Sequence, residues 1–244
     1  MKLLIDIGNT AIKVGSSKGD CFSFLGRFYS SNNIEVNLLK LISNLEVDSV
    51  YISSVVPSKS QIVEQFFVKT LQIKPNFIHV GDYCDLKINI DNKDELGVDL
   101  YCDLVAAKVK YGNKVLITDL GTASKILLID GRGEFSSCVI IPGLNLSKKV
   151  LSNNAELLPN INSDSVKRIS EARNTIDVIN SSVYYAHVEA INGLLKRYEN
   201  EIGYQCRHVF TGGNAAILLK DLISPFDYDE NLTLEGIHQI VKGK

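Results

Sequence analysis

The stretch LLIDIGNTAIKVG, residues 3–15, places an aspartate and a glycine turn inside a hydrophobic run. Apolar residues before Asp6 and the alternation that resumes at Ala11 predict two strands, 2–7 and 11–15, joined by a tight turn at Gly8–Thr10. A nucleotide P-loop or a dinucleotide fingerprint needs a glycine turn that opens a helix, and neither GxxxxGK[ST] nor GxGxxG occurs in the sequence. The stretch therefore excludes both of these classes.

The same arrangement returns in VLITDLGTASKILLID, residues 115–130, where Asp119 follows Asp6 by 113 residues. A repeat at close to half the chain length predicts two similar domains, which we place at 1–112 and 113–244. Between the two repeats, a strand pattern at 49–56, a helical pattern at 58–71 and a strand pattern at 76–80 alternate along the chain. This alternation predicts an α/β fold.

The composition limits the classes of function. With 244 residues, 45% of them hydrophobic, the chain can bury a substantial core. A net charge of −2 argues against nucleic-acid binding. The five scattered cysteines form no CxxC pair, which disfavours a disulfide framework or a zinc site, and the four scattered histidines suggest no metal cluster. Because no apolar run reaches membrane-spanning length, we expect a cytoplasmic protein without a membrane partner.

Two matched Asp-Gly turns favour a phosphate site over ordinary hairpin turns. Gly8 and Gly121 let a ligand approach the backbone closely, and backbone amides and hydroxyls of such turns can bond phosphate oxygens. Asp6 can hold Mg²⁺, through water, since Mg²⁺ keeps much of its hydration. Lys13 would add a positive charge.

Motifs along nearly the whole chain resemble those of the type III pantothenate kinases, within the superfamily of sugar kinases, actin and chaperone ATPases. In order, they are DIGNTAIK (6–13), ISSVVP (52–57), DNKDELGVDL (91–100), DLGTA (119–123), IIPGLNLS (140–147), NTIDVI (174–179), TGGNA (211–215) and LTLEGI (232–237).

The resemblance implies two actin-like, ribonuclease H-like domains, each a mixed sheet with flanking helices, that face each other across a nucleotide cleft. It implies ATP-dependent phosphorylation of pantothenate to 4'-phosphopantothenate, the first step of coenzyme A biosynthesis, with Asp99 as general base. The residues implied to bind ATP are Asp6, Ile7, Gly8, Asn9, Thr10, Ala11, Ile12, Lys13 and Thr122, and those implied to bind pantothenate are Gly97, Val98, Asp99, Leu100 and Thr175.

The resemblance further implies Mg²⁺ with the ATP, a monovalent cation (K⁺ or NH₄⁺) bound with the help of Asp119, and a homodimer. Asp99 also stands before the helical run 101–110, where an aspartate can cap a helix, so catalysis and capping remain open for it.

Several positions depart from the family pattern. Leu100 stands where an arginine is usual, and an arginine there could hold the pantothenate carboxylate through paired hydrogen bonds. Ile90 replaces an aromatic residue, Lys93 a proline, and Ser137-Cys138 a pair of glycines. These departures leave open a divergent pantothenate kinase that holds the substrate carboxylate through other groups, or a kinase of another small hydroxyl compound. A third hypothesis is a non-catalytic nucleotide-binding regulator of the same fold.

Overall fold

A computed structural model describes residues 1–154, 159 and 165–243 of the chain. The described residues form two compact units and two sheets. The first unit contains residues 1–115, 129–137 and 231–244, and the second contains 116–128 and 138–230.

The first sheet has the strand order β3-β2-β1-β4-β5. Strand β1 pairs antiparallel with β2 and parallel with β4, so the sheet is mixed. Its strands are β1 (Lys2–Ile7), β2 (Ala11–Lys18), β3 (Cys21–Tyr29), β4 (Ser49–Ser54) and β5 (Asn76–Phe77).

The second sheet has the order β11-β10-β7-β8-β9-β6. Read from the other edge and without β6, this order is β9-β8-β7-β10-β11. Both sheets therefore have the third, second, first, fourth and fifth strand of their half of the chain in that order. The internal repeat predicted from the two Asp-Gly turns is therefore confirmed at the level of topology. The strands are β6 (Lys87–Ile88), β7 (Val115–Leu120), β8 (Ala123–Ile129), β9 (Glu134–Pro142), β10 (Arg207–Thr211) and β11 (Asp227–Tyr228).

Helices flank both sheets, and each sheet contributes to a hydrophobic core. The first core includes Leu3, Ile5 and Ile52, and the second includes Leu116, Ile191 and Phe210. The helices are α1 (Ile34–Ile42), α2 (Pro57–Leu71), α3 (Val98–Tyr111), α4 (Leu144–Asn154), α5 (Thr175–Ile202), α6 (Ala215–Leu218) and α7 (Leu232–Val241), with short 3₁₀ helices at Lys93–Glu95, Ile169–Glu171 and Leu219–Asp221. Among the described residues, no helix is long and apolar enough to cross a membrane.

Helix α7 packs against α3 of the first unit through a glycine. A Cβ placed on Gly236 would lie 1.9 Å from the backbone oxygen of Cys102, so the two helices approach too closely for any side chain there. Beside this contact, the buried Thr233 hydroxyl donates to Asp103 Oδ1 at 2.7 Å. The motif LTLEGI thus packs on α3, the helix whose first turn contains Asp99.

The units differ from the predicted domains, 1–112 and 113–244, because the first unit also contains residues 129–137 and 231–244. Residues 231–244 belong to the first unit although they follow the second sheet in sequence. The physical reason is the close packing of α7 on α3, a contact between segments more than 100 residues apart.

Candidate active site

The first Asp-Gly turn joins β1 to β2. The Gly8 amide donates to the Ala11 carbonyl at 3.0 Å, which closes the turn, and Asn9 and Thr10 are exposed at its tip. Asp6 lies opposite Lys13 in the antiparallel register, and both side chains are half-buried. The strand therefore carries a carboxylate whose side chain is partly accessible to solvent.

Two residues of the predicted ATP-binding stretch have their side chains in the core. Ile7 and Ile12 face each other across the β1–β2 pair, and both are fully buried. Only their backbone can contribute to a ligand site. In this stretch, only the side chains of Asp6, Asn9, Thr10, Ala11 and Lys13 are therefore left as predicted ATP contacts.

Lys59 and Ser30 support the first turn, although no motif in the sequence indicates either residue. Lys59 Nζ donates to the Asn9 carbonyl at 2.8 Å and to Ser30 Oγ at 2.6 Å. Ser30 Oγ also donates to the Asn9 carbonyl at 2.7 Å, and the Ser30 amide donates to the Thr10 carbonyl at 2.9 Å. The turn is thus held from outside by a lysine on α2.

Asp99 lies in the first turn of α3, one residue inside the helix. The helix begins at Val98, earlier than the predicted run 101–110, and Gly97 is its N-cap. Asp99 Oδ1 accepts the Leu100 amide at 2.9 Å and would lie 2.5 Å from a Cβ on Gly97. The carboxylate therefore folds back over Gly97, at the end of the helix whose dipole interacts favourably with negative charge.

Asp6 and Asp99 lie around the same buried thiol. Burial raises the pKa of the Cys102 thiol well above its usual value, and the negative charges of Asp6, Asp103 and Asp99 raise it further. Both predicted carboxylates are therefore close enough to Cys102 to act on it electrostatically.

A pocket of about 530 Å³ opens beside the N-terminus of α3. Its volume falls within the range of small-molecule sites. Gly97 and Val98 line it together with Ser54, at the end of β4, and Lys93. A neighbouring pocket of about 730 Å³ shares Lys93 and Asp94 with it. Leu100, at the position where the family pattern has arginine, is buried, with 7% of its surface exposed.

The second Asp-Gly turn, between β7 and β8, is enclosed by two loops of the second unit. The Asn214 amide donates to the Leu120 carbonyl at 2.9 Å, and Asn214 Nδ2 donates to the Gly121 carbonyl at the same distance. The Gly143 amide donates to the Thr122 carbonyl at 3.1 Å. The motifs TGGNA and IIPGLNLS thus meet the turn that carries exposed Thr122.

Asp119 is paired with a lysine that the sequence analysis overlooked. Lys125 Nζ lies 2.9 Å from Asp119 Oδ2, and the side chains are 18% and 16% exposed. A Cβ on Gly212, whose φ is +96°, would lie 2.6 Å from Asp119 Oδ1, so that glycine packs directly on the carboxylate. The second hairpin therefore repeats the first, in which Asp6 faces Lys13.

Thr175 is the exposed first residue of α5, in the second unit. The helix is capped by Asn174, whose Oδ1 accepts the Asp177 amide at 3.0 Å while its Nδ2 donates to Asp177 Oδ2 at 2.7 Å. Lys167 donates to Asp177, which lowers the pKa of that carboxyl, as does the Asn174 bond. The motif NTIDVI thus includes a capping arrangement, and the predicted contact of Thr175 with pantothenate stays a prediction.

Two buried histidines of the second unit have structural partners. His187 Nε2 lies 3.0 Å from Ser124 Oγ inside the second core, and burial lowers its pKa. His208 Nε2 lies 3.1 Å from Glu199 Oε1, and both are buried. In the described part of the chain, no group of three or more His, Cys, Asp or Glu side chains could hold a metal ion. A metal at Asp6 would therefore depend on water and ligand oxygens for its remaining coordination.

Comparisons with known proteins agree with these motifs. The family model for type III pantothenate kinase matches residues 2–197. A type III pantothenate kinase of Brevibacillus brevis is 31% identical over 250 residues, which cover 98% of each chain. A Campylobacter jejuni protein assigned to the Baf family of transcriptional activators has a solved structure that covers 99% of this chain and 98% of its own, at 20% identity and a TM-score of 0.59.

The fold extends to sugar kinases. The solved structure of a protein assigned as an N-acetylglucosamine kinase from Porphyromonas gingivalis covers 100% of this chain and 99% of its own, with a TM-score of 0.50 and 16% identity. At such low identity, this likeness shows a shared fold and no shared function. The family match and the relative of 31% identity go further: the chain belongs to the type III pantothenate kinase family.

Proposed function

We propose that Asp99 is the general base in the reaction of this family member, the ATP-dependent phosphorylation of pantothenate to 4'-phosphopantothenate in coenzyme A biosynthesis. The observation that carries the proposal is the position of the Asp99 carboxylate over Gly97, a residue that lines the 530 Å³ pocket. A substrate in that pocket would contact Gly97, and the Asp99 carboxylate lies over that residue.

In the proposed reaction, the Asp99 carboxylate accepts the proton of the pantothenate primary hydroxyl as that oxygen attacks the γ-phosphorus of ATP. The bond from the γ-phosphorus to the β,γ-bridging oxygen breaks, and ADP leaves. Because the transition state is loose and its charge is spread over the phosphoryl oxygens, the protein contributes mainly alignment and electrostatic stabilisation. The Leu100 amide orients Asp99 for its role.

The two Asp-Gly turns are assigned to ATP. In the first unit, the Gly8–Thr10 turn and Lys13 would bond phosphate oxygens, and Lys59 supports that turn through the Asn9 carbonyl. In the second unit, Thr122 and the enclosed turn around it have the same assignment. Asp6 is a hard oxygen donor at a partly open strand end, which suits Mg²⁺ held through water and phosphate. When bound, Mg²⁺ neutralises charge that develops on the phosphates.

Three further parts of the proposal come from the resemblance alone. They are a homodimer, a cytoplasmic location and contacts of residues 97–100 and Thr175 with pantothenate. The predicted monovalent cation is a separate matter, because its expected ligand, Asp119, is paired with Lys125.

The test of the reaction is ADP release by the purified protein with ATP and Mg²⁺, measured with and without pantothenate. We expect release to depend on pantothenate and 4'-phosphopantothenate to accumulate in equal amount. Release that responds instead to another small alcohol would favour the alternative kinase, and ATP binding without turnover on any alcohol would favour a regulator.

A further inference from the structure

The Asp119 carboxylate, at which the resemblance implies an exchangeable monovalent cation, is held by a cation of the chain itself. Lys125 Nζ lies 2.9 Å from Asp119 Oδ2. Both side chains are more than four-fifths buried, so the pair is only weakly screened by solvent. The residue on the other side of Asp119 is Gly212, which packs against Oδ1.

The backbone oxygens of the same turn also have donors. The carbonyls of Leu120, Gly121 and Thr122 accept hydrogen bonds from the backbone and side chain of Asn214 and from the Gly143 amide. A potassium ion in a protein replaces its hydration shell with several such oxygens. Each carbonyl keeps a second lone pair, but the carboxylate faces an ammonium whose positive charge repels another cation at the same place. With Lys125 in position, this turn therefore does not fit an exchangeable monovalent cation.

We propose that the Lys125 ammonium is the resident cation of the second Asp-Gly turn and takes the place of an exchangeable K⁺ or NH₄⁺. The proposal rests on the proposed pantothenate kinase reaction and adds that this reaction needs no added monovalent cation. The first hairpin has a lysine at the corresponding position, since Lys13 lies opposite Asp6 in the β1–β2 register.

The consequences of removing the lysine follow from the burial of the pair. Without its ammonium, Asp119 would be a mostly buried carboxylate without its ionic partner, which is an unfavourable state. A small neutral residue at position 125 would also open space beside the carboxylate. A monovalent cation from solution can then bind at Asp119, so the variant should acquire the cation dependence that the wild-type protein lacks. Arginine at position 125 retains the charge and should not acquire it.

The experiment compares the wild-type protein with Lys125→Thr and Lys125→Arg in buffers that contain either potassium or tetramethylammonium chloride at equal ionic strength. Two quantities are measured: pantothenate-dependent ADP release, and the melting temperature of the protein without nucleotide. For the wild-type protein and for K125R, we expect the rate to change less than twofold between the two salts and the melting temperature to stay the same. For K125T, we expect a rate at least tenfold higher in potassium and a melting temperature that rises with potassium concentration.

Other outcomes would contradict either the resident-cation proposal or the proposed kinase reaction. A wild-type rate at least tenfold higher in potassium overturns the resident-cation proposal, whether or not K125T folds. A K125T protein that responds to potassium no more than the wild type also overturns it. Absence of pantothenate-dependent ADP release in both salts for the wild-type protein contradicts the proposed reaction itself, while a melting-temperature response to potassium confined to K125T would still support the role of Lys125.

Discussion

The carboxylate of Asp99 lies directly over Gly97: its Oδ1 would be 2.5 Å from a Cβ placed on that glycine. The backbone of Gly97, at φ −59° and ψ 137°, is accessible to alanine, so Gly97→Ala would cause no backbone strain. The new methyl group would instead displace the Asp99 side chain. We expect kcat to fall by up to about 100-fold, as for an ångström-scale misplacement of a catalytic group, with the affinity for ATP unchanged.

The matched control for this variant is Gly193→Ala. Gly193 is exposed in the interior of α5 and has open space around its Cβ position. That variant should retain wild-type kcat and gain a little helix stability. A G97A protein with wild-type kcat would show that the position of the Asp99 carboxylate is unimportant for turnover.

Gly236 is expected to be intolerant of any side chain. In Gly236→Ala the methyl group would collide with the backbone of Cys102, which cannot move without shifting α3. Overpacking of this kind typically costs about 1–3 kcal/mol of folding free energy. The melting temperature should therefore fall, while Gly193→Ala should leave it unchanged or raise it. Equal melting temperatures for G236A and wild type would contradict the close packing of α3 and α7.

Lys59 is expected to affect ATP more than pantothenate, because it bonds the Asn9 carbonyl of the first turn. Loss of a charge-assisted hydrogen bond costs about 1.5 kcal/mol, so Lys59→Met should raise the KM for ATP roughly tenfold. The KM for pantothenate should change little. Lys69→Met, at the exposed far end of the same helix, serves as the control. An unchanged KM for ATP in K59M would show that Lys59 does not support ATP binding.

Lys93 is expected to attract the carboxylate of pantothenate, since it lines the pocket beside Gly97 and the usual arginine is replaced by buried Leu100. Because Lys93 is exposed, such an ion pair is worth at most about 1 kcal/mol. Lys93→Ala should therefore raise the KM for pantothenate about two- to fivefold, less at high salt, and Lys93→Arg should restore it. The exposed Lys40, in the last turn of α1, gives a control variant. Identical salt-dependent KM values for K93A and wild type would exclude this role.

Local patterns allowed much of the fold to be predicted. Strand β1 has the bounds expected from the apolar run before Gly8, and α2 begins one residue before the predicted helical run. Both follow from hydrophobic period and from a glycine or proline at the boundary. The matching strand orders of the two sheets also followed from a visible feature, the repeated Asp-Gly turn.

Contacts between distant segments could not be predicted in the same way. Sequence spacing does not indicate that α7 packs on α3, or that Lys59 reaches Asn9. Lys125 could have been found, because it occupies the place in the second hairpin that Lys13 has in the first, with a turn one residue shorter. The turn lengths obscure that correspondence when the two repeats are aligned without a gap.

The most direct test of the account is the rate of 4'-phosphopantothenate formation by Asp99→Asn. Asparagine keeps the size of the side chain and an Oδ1 that can accept the Leu100 amide, but it cannot accept the hydroxyl proton. We expect the turnover of D99N to fall by about 10²- to 10⁴-fold, while its affinity for ATP stays close to that of the wild type. Turnover at the wild-type rate in D99N would contradict the assignment of Asp99 as the general base.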